Sequence, residues 1–277
     1  MERSVGRKGR KRKRRSLVAR WIASLRKRRW RRVLRSTPGW VKVVAAVLGL
    51  SVVSLAVNWV YQVYRKPTEL FFPISGSFYK DPARTWEAYG ALFREHSTPV
   101  MTPTLLAALA QVEGSGNPIV RTYWRLAFSA APFEIYRPAS SAVGMYQITD
   151  GTFAEARHYC IHDHKVASDD APWYSLRGCW FNALYMRTVP SDAIELTSAY
   201  LDLRVAQAVR GRQKPPTLRE RQRLAALIHL CGPGVAGAFV RRGFAPAPSQ
   251  RCGTHDVRTY IERVESMERR FAALESG

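Results

Sequence analysis

The sequence predicts a mostly α protein, with a single N-terminal transmembrane helix followed by one globular helical domain. Three observations predict it. Residues Val43 to Tyr64 carry no charge over 22 positions. Beyond them, helix-start signals repeatedly precede apolar residues at helical spacing. Stretches with strand-like alternation are few. Apolar residues at 46% and aromatic residues at 11% supply material for a packed core, which excludes a wholly disordered chain.

The first element is a tail, residues 1–40. The net charge of +23 suggests a nucleic-acid binder until it is divided by position. The tail holds 17 of the 44 Lys and Arg against one acid, Glu2, whereas the other 237 residues carry 27 bases against 20 acids. Leu17, Val18, Trp21, Ile22 and Leu25 recur at helical spacing among those bases. That pattern suits a basic amphipathic helix on anionic membrane lipid, an otherwise unstructured tail that only fixes topology is weighed equally, and nucleic acid is the lesser expectation although charge alone serves both.

Residues 41–64 form the transmembrane helix. Twenty-two uncharged residues reach about 33 Å, close to the hydrocarbon thickness. Trp40 stands at one end, and Trp59, Tyr61 and Tyr64 at the other, as aromatic belts. Ser54-Leu55-Ala56 could be a signal-peptide cleavage sequence, but more than 40 residues precede it and the apolar run continues past it. The basic excess before the span places the N-terminus in the cytoplasm and everything after residue 65 outside.

Residues 65–80, with Pro67, Pro73 and Gly76, read as a connecting arm to the domain at 81–275. Asp81–Pro82 and Thr102–Pro103 each pair a cap with a proline tolerated in the first turn. Ser191 is placed as the cap of a helix through about Arg210, and Asp150 as the cap of a shorter one. Thr217 and Glu220 form a capping-box pattern, and a last helix follows Thr254. All four cysteines, Cys160, Cys179, Cys231 and Cys252, follow the span, which suits two disulfides in an oxidising compartment. Three pairings are possible. Cys160–Cys179 with Cys231–Cys252 closes the shortest loops, each worth about 3 kcal/mol.

Glu113 is the candidate catalytic residue. It occupies the last turn of an apolar helix before a glycine-containing exit. A carboxyl at a negative helix end and partly out of water is pushed toward its protonated form, the form a general acid needs. His158 and His162 have an i, i+4 spacing usable for zinc on a helix, but the intervening Cys160 is expected in a disulfide, so no metal is assigned.

Ala110-Gln-Val-Glu113-Gly-Ser-Gly-Asn-Pro118 resembles the motif around the catalytic glutamate of the SLT-type lytic transglycosylases, in the lysozyme-like α+β superfamily. Ser141-Ala-Val-Gly-Met-Tyr-Gln147 is similar to that family's second motif, and Cys231-Gly-Pro-Gly234 to its third. Asp256-Val-Arg258-Thr-Tyr260-Ile261 looks like its terminal element. The four occur in the family's order over about 105–265.

The resemblance implies cleavage of the β-1,4 bond between N-acetylmuramic acid and N-acetylglucosamine in peptidoglycan glycan strands, leaving 1,6-anhydro-muramyl ends. It implies Glu113 as acid, with no metal and no cofactor. Met145, Tyr146 and Gln147 would line the glycan groove, Tyr260 would sit close to Glu113, and Ser141 is a candidate for the family's serine. His229 and Leu230 stand where the family has tyrosine and asparagine, and His229 is placed as a hydrogen-bonding neighbour of Glu113. The alternatives are a hydrolytic muramidase of the same fold and a non-catalytic peptidoglycan-binding scaffold. The family and the anchor together imply the inner membrane, with the domain in the periplasm, where arm and tail could also tie it to an envelope protein complex. Residues 119–140 exceed the family's usual length, and their aromatic residues Tyr123, Trp124, Phe128 and Phe133 could stack on sugar rings or pack on the core, the second being the stronger expectation.

Overall fold

The computed structural model describes residues 36–71, 73–127, 131, 133–168 and 178–277. The amphipathic pattern at Leu17–Leu25 lies outside the described residues, as does Phe128. The chain divides into two compact units, Met1–Val60 and Tyr61–Gly277. Among the described residues it is mostly helical, with eight α-helices.

Helix α1, Gly39–Arg65, begins in the first unit and ends in the second. It is long and apolar enough to cross a membrane. Valine and leucine side chains such as Val43, Leu48 and Leu50 stand exposed along it, as a lipid-facing helix requires. Ser51 satisfies its hydroxyl within the helix by donating to the Val47 carbonyl at 2.9 Å.

In the second unit, α2 (Pro82–Glu95) and α3 (Pro103–Gly114) start at the expected caps. Asp81 accepts from the Arg84 amide and Thr102 from the Leu105 amide. A hairpin follows, β1 (Trp124–Leu126) with β2 (Tyr136–Pro138), and then α4 (Asp150–Ala156). A second hairpin pairs β3 (Tyr159–His162) with β4 (Lys165–Ser168). Helices α5 (Pro190–Val209) and α6 (Leu218–Cys231) pack on one another, followed by α7 (Ala236–Arg241). A short hairpin, β5 (Arg251–Cys252) with β6 (His255–Asp256), leads into α8 (Val257–Ser276).

Helix α3 is the centre. Leu105 to Ala110 are all buried, because α2 and α8 cover it from different sides. A helix apolar around its whole circumference suits only such a place. Each leucine so enclosed contributes about 1.5–3 kcal/mol. Phe93, Met101, Tyr146, Phe239 and Phe271 complete the core.

Several local expectations are corrected. Thr149, not Asp150, caps α4 by accepting from Thr152, while Asp150 pairs with Arg187 at 2.7 Å. Ser191 does not cap α5, whose preceding residue Val189 makes no side-chain cap; Ser191 instead meets His96 at 2.8 Å. His162 lies in a strand rather than a helix, so the helical zinc spacing does not arise. Tyr123 and Phe133 are exposed instead of packed in the core, and Trp124 packs at a tilt against Tyr136 across the hairpin.

The stretch after α1 is a structural brace. It forms two 3₁₀ turns, Pro67–Phe71 and Ser75–Phe78. Ser75 O accepts from the wholly buried Asn117 Nδ2 at 2.7 Å, and Lys80 N donates to Ser115 O at 2.9 Å. The exit loop of α3 is thereby held from outside. Both disulfides pair as the shortest loops suggest, Cys160–Cys179 and Cys231–Cys252.

Candidate active site

Glu113 sits where α3 stops. Ser115 closes the helix in the left-handed region at φ 49°, with its amide bonded to Gln111 O at 3.0 Å, and Gly116 continues at φ 64°. Gln111, on the preceding turn, accepts from Thr85 Oγ1 at 2.7 Å and donates to Lys80 O at 2.9 Å. Gly114 allows a close approach from the next motif: a Cβ there would lie 2.8 Å from the Met145 Cα and carbonyl oxygen. The glycine following Glu113 is therefore a packing requirement, set by backbone 31 positions away.

That approaching segment is a tight turn. Val143 and Ile148 exchange both backbone hydrogen bonds at 3.1 Å, and the chain between them uses positive φ at Gly144 (79°) and Gln147 (48°). Arg187 clamps it from behind, donating to Ser141 O at 3.0 Å and Ile148 O at 2.8 Å. Met145 and Tyr146 point inward and are fully buried, with Tyr146 Oη donating to Leu106 O at 3.0 Å. These two do not line a groove, contrary to expectation; they fix α3 to the turn from the core side. Gln147 is partly exposed and folds its Nε2 onto Gly144 O at 2.9 Å. Ser141 accepts from the Asp150 amide and lines a different pocket, of about 130 Å³, with Arg65, Lys66 and Arg137.

Two distant elements complete the surroundings of Glu113. Tyr260, in the first turn of α8, donates its hydroxyl to Glu113 Oε1 at 2.5 Å. His229, near the end of α6, places Nε2 3.8 Å from the same oxygen, a neighbour beyond hydrogen-bond distance, so the hydrogen bond expected of it is not formed. The Cys231–Cys252 disulfide joins the end of α6 to the hairpin that feeds α8, so one covalent link holds the carriers of both residues. The Glu113 side chain keeps 19% of its surface exposed, enough for a ligand atom to reach it.

Burial pushes the Tyr260 hydroxyl well above its ordinary range, and the Glu113 charge and hydrogen bond add to this, so Tyr260 remains a donor. Burial lowers His229, outweighing the opposing pull of Glu113 and of a hydrogen bond to the Tyr146 backbone. His229 is thus a neutral imidazole at neutral pH. A histidine held below its ordinary value of 6.5 binds fewer protons folded than unfolded. Stability is then full above about pH 6.5 and falls as pH drops toward the folded value. His229→Gln should flatten that acid-side loss, measured as midpoints of thermal unfolding from pH 7 downward; an unchanged slope would place the titrating group elsewhere.

Beside this cluster is a pocket of about 210 Å³ lined by Gln147, Thr149, Tyr200, His229, Leu230 and Gly232, among others. A larger one, of about 490 Å³, lies between α3, α6 and α8; of the motifs quoted from sequence it touches only Ile261, and none of the candidate site residues lines it. Among the described residues no group of three or more His, Cys, Asp and Glu side chains is placed to hold a metal.

Sequence reasoning missed Arg187 and Glu69. Glu69 is fully buried, accepting from Trp124 Nε1 at 2.7 Å and pairing with Arg121 at 3.3 Å and Lys66 at 3.4 Å. A lone acid beside Arg65 and Lys66 in a proline-containing stretch was the available signal. No protein-family model matches the chain, and no curated protein proves similar to it.

Proposed function

We propose that this chain is a membrane-anchored, lysozyme-like peptidoglycan lytic transglycosylase with Glu113 as its acid and base. The observation that carries the reading is the convergence on one carboxyl of side chains from motifs far apart in sequence: Tyr260 at 2.5 Å and His229 at 3.8 Å, with Gln147 in the adjoining pocket. In this reading α1 crosses the cytoplasmic membrane with the tail inside, bound to anionic lipid, and the domain faces the wall in the periplasm.

Protonated Glu113 donates to the glycosidic oxygen as the bond to the muramyl anomeric carbon breaks. The resulting carboxylate takes the proton of the muramyl 6-hydroxyl as that oxygen closes on the anomeric carbon. Proton and leaving group are both accounted for, and water does not enter. Tyr260 orients the carboxyl through its hydrogen bond.

The full chain in detergent, incubated with purified peptidoglycan, should release muropeptides one water lighter than hydrolytic products, as read by mass spectrometry. Products carrying the extra water would make the enzyme a muramidase. A folded protein that binds the wall and releases nothing would support the scaffold alternative.

A further inference from the structure

We propose that the β1–β2 hairpin, with the Pro67–Phe71 turn, is a lipid-binding surface that rests on the anionic bilayer interface where α1 emerges. The proposal shares with the functional reading only the premise that α1 crosses a bilayer.

The hairpin is fastened to the last turns of α1. Gln62 Nε2 donates to Phe133 O at 2.7 Å, and Arg65 pairs with Glu134 at 2.9 Å. The Tyr61 and Phe133 rings lie 5.6 Å apart. A segment held this way follows the end of the helix wherever that end sits, and the end of a spanning helix sits at the headgroups. The surface is thus continuous with the helix that is long and apolar enough to cross a membrane.

What the hairpin displays is apolar. Leu126 is 74% exposed and Tyr123 71%, with Ile135 and Leu70 also exposed. Trp124 to Leu126 register with Pro138 to Tyr136, so the hairpin holds these side chains on a paired two-stranded ribbon. The nearby charge is basic. Residues 61–80 and 119–140 contain six Lys and Arg against two acids; Glu69 and its partner Lys66 are both buried, and the exposed excess rests on arginines such as Arg65 and Arg125. Apolar side chains flanked by bases are the composition of a surface that binds anionic lipid in the plane of the interface. A sugar-stacking platform would not call for Leu126 and Ile135, which lack a ring face.

The test uses the full chain in vesicles of phosphatidylethanolamine and phosphatidylglycerol. All four native cysteines are paired, so a single introduced cysteine takes a spin label cleanly. Labels at Leu126→Cys and Tyr123→Cys are compared with Val52→Cys in α1 and Leu218→Cys on α6. Collision with oxygen, which concentrates in the bilayer, is measured against collision with an aqueous nickel chelate. The proposal expects the 126 and 123 labels to follow 52 in favouring oxygen, and to shift toward the chelate when phosphatidylglycerol is replaced by neutral lipid. Labels at 126 and 123 that follow 218 while 52 stays in lipid would overturn the surface and leave the anchor intact. A water-exposed 52 would remove both. Spin–spin broadening at 126 that persists on dilution into excess lipid would make the hairpin a contact between two copies and overturn the proposal.

Discussion

Glu113→Gln should lower peptidoglycan cleavage by about 10²–10⁴-fold, the range that removal of a general acid produces. Glutamine keeps the shape of the side chain and an oxygen able to accept from Tyr260 Oη, which donates to Glu113 Oε1 at 2.5 Å. It has no acidic proton for the leaving group and no carboxylate to take one back. Because Glu113 is at the rim of the core, with 19% of its side chain exposed, the exchange should shift thermal unfolding little. Wall binding should survive. Release of muropeptides from equal amounts of folded wild type and variant checks this, and equal rates would exclude Glu113 from the chemistry. Tyr260→Phe is the companion: it spares the carboxyl but removes its orienting donor, so turnover should fall by less than in Glu113→Gln and wall binding should be retained.

Much of the fold was legible because its signals are local. Asp81, Thr102 and Thr217 each cap the helix that follows them, since the cap and the amides it satisfies lie within a few residues. The capping box at Thr217 and Glu220 forms with both reciprocal bonds. The same locality explains the errors. Thr149 and Asp150 are both acceptable caps, and only the Arg187 guanidinium, supplied from 37 positions away, draws Asp150 out of that role. Met145 and Tyr146 were read as groove residues beside Gln147. Nothing local shows that the turn seats them against α3, where Gly114 has no Cβ to keep them off. At the candidate site, sequence order supplied Glu113, His229 and Tyr260, but the distances between them come from the packing of three helices.

Glu69→Ala should destabilise the second unit by about 3–5 kcal/mol, the cost of breaking a buried ion pair by removing one partner. Glu69 is wholly buried and draws together Lys66 just after α1, Arg121 from the strip before β1, and the Trp124 indole. Without it, the Lys66 ammonium, whose side chain is only 10% exposed, loses its nearest countercharge, and the indole N–H loses its acceptor. Glu69→Gln separates those losses. It removes the charge but leaves a carbonyl oxygen for Trp124, so its deficit should be smaller, and the difference between the variants reports what the indole bond and side-chain packing contribute. Denaturant unfolding of the full chain in detergent measures both. If alanine and glutamine both unfold at the wild-type midpoint, the buried carboxylate only breaks even against its own desolvation. If alanine falls as expected, the stretch after α1 is an integral part of the domain, because its one buried acid is among the contacts that fasten the hairpin to it.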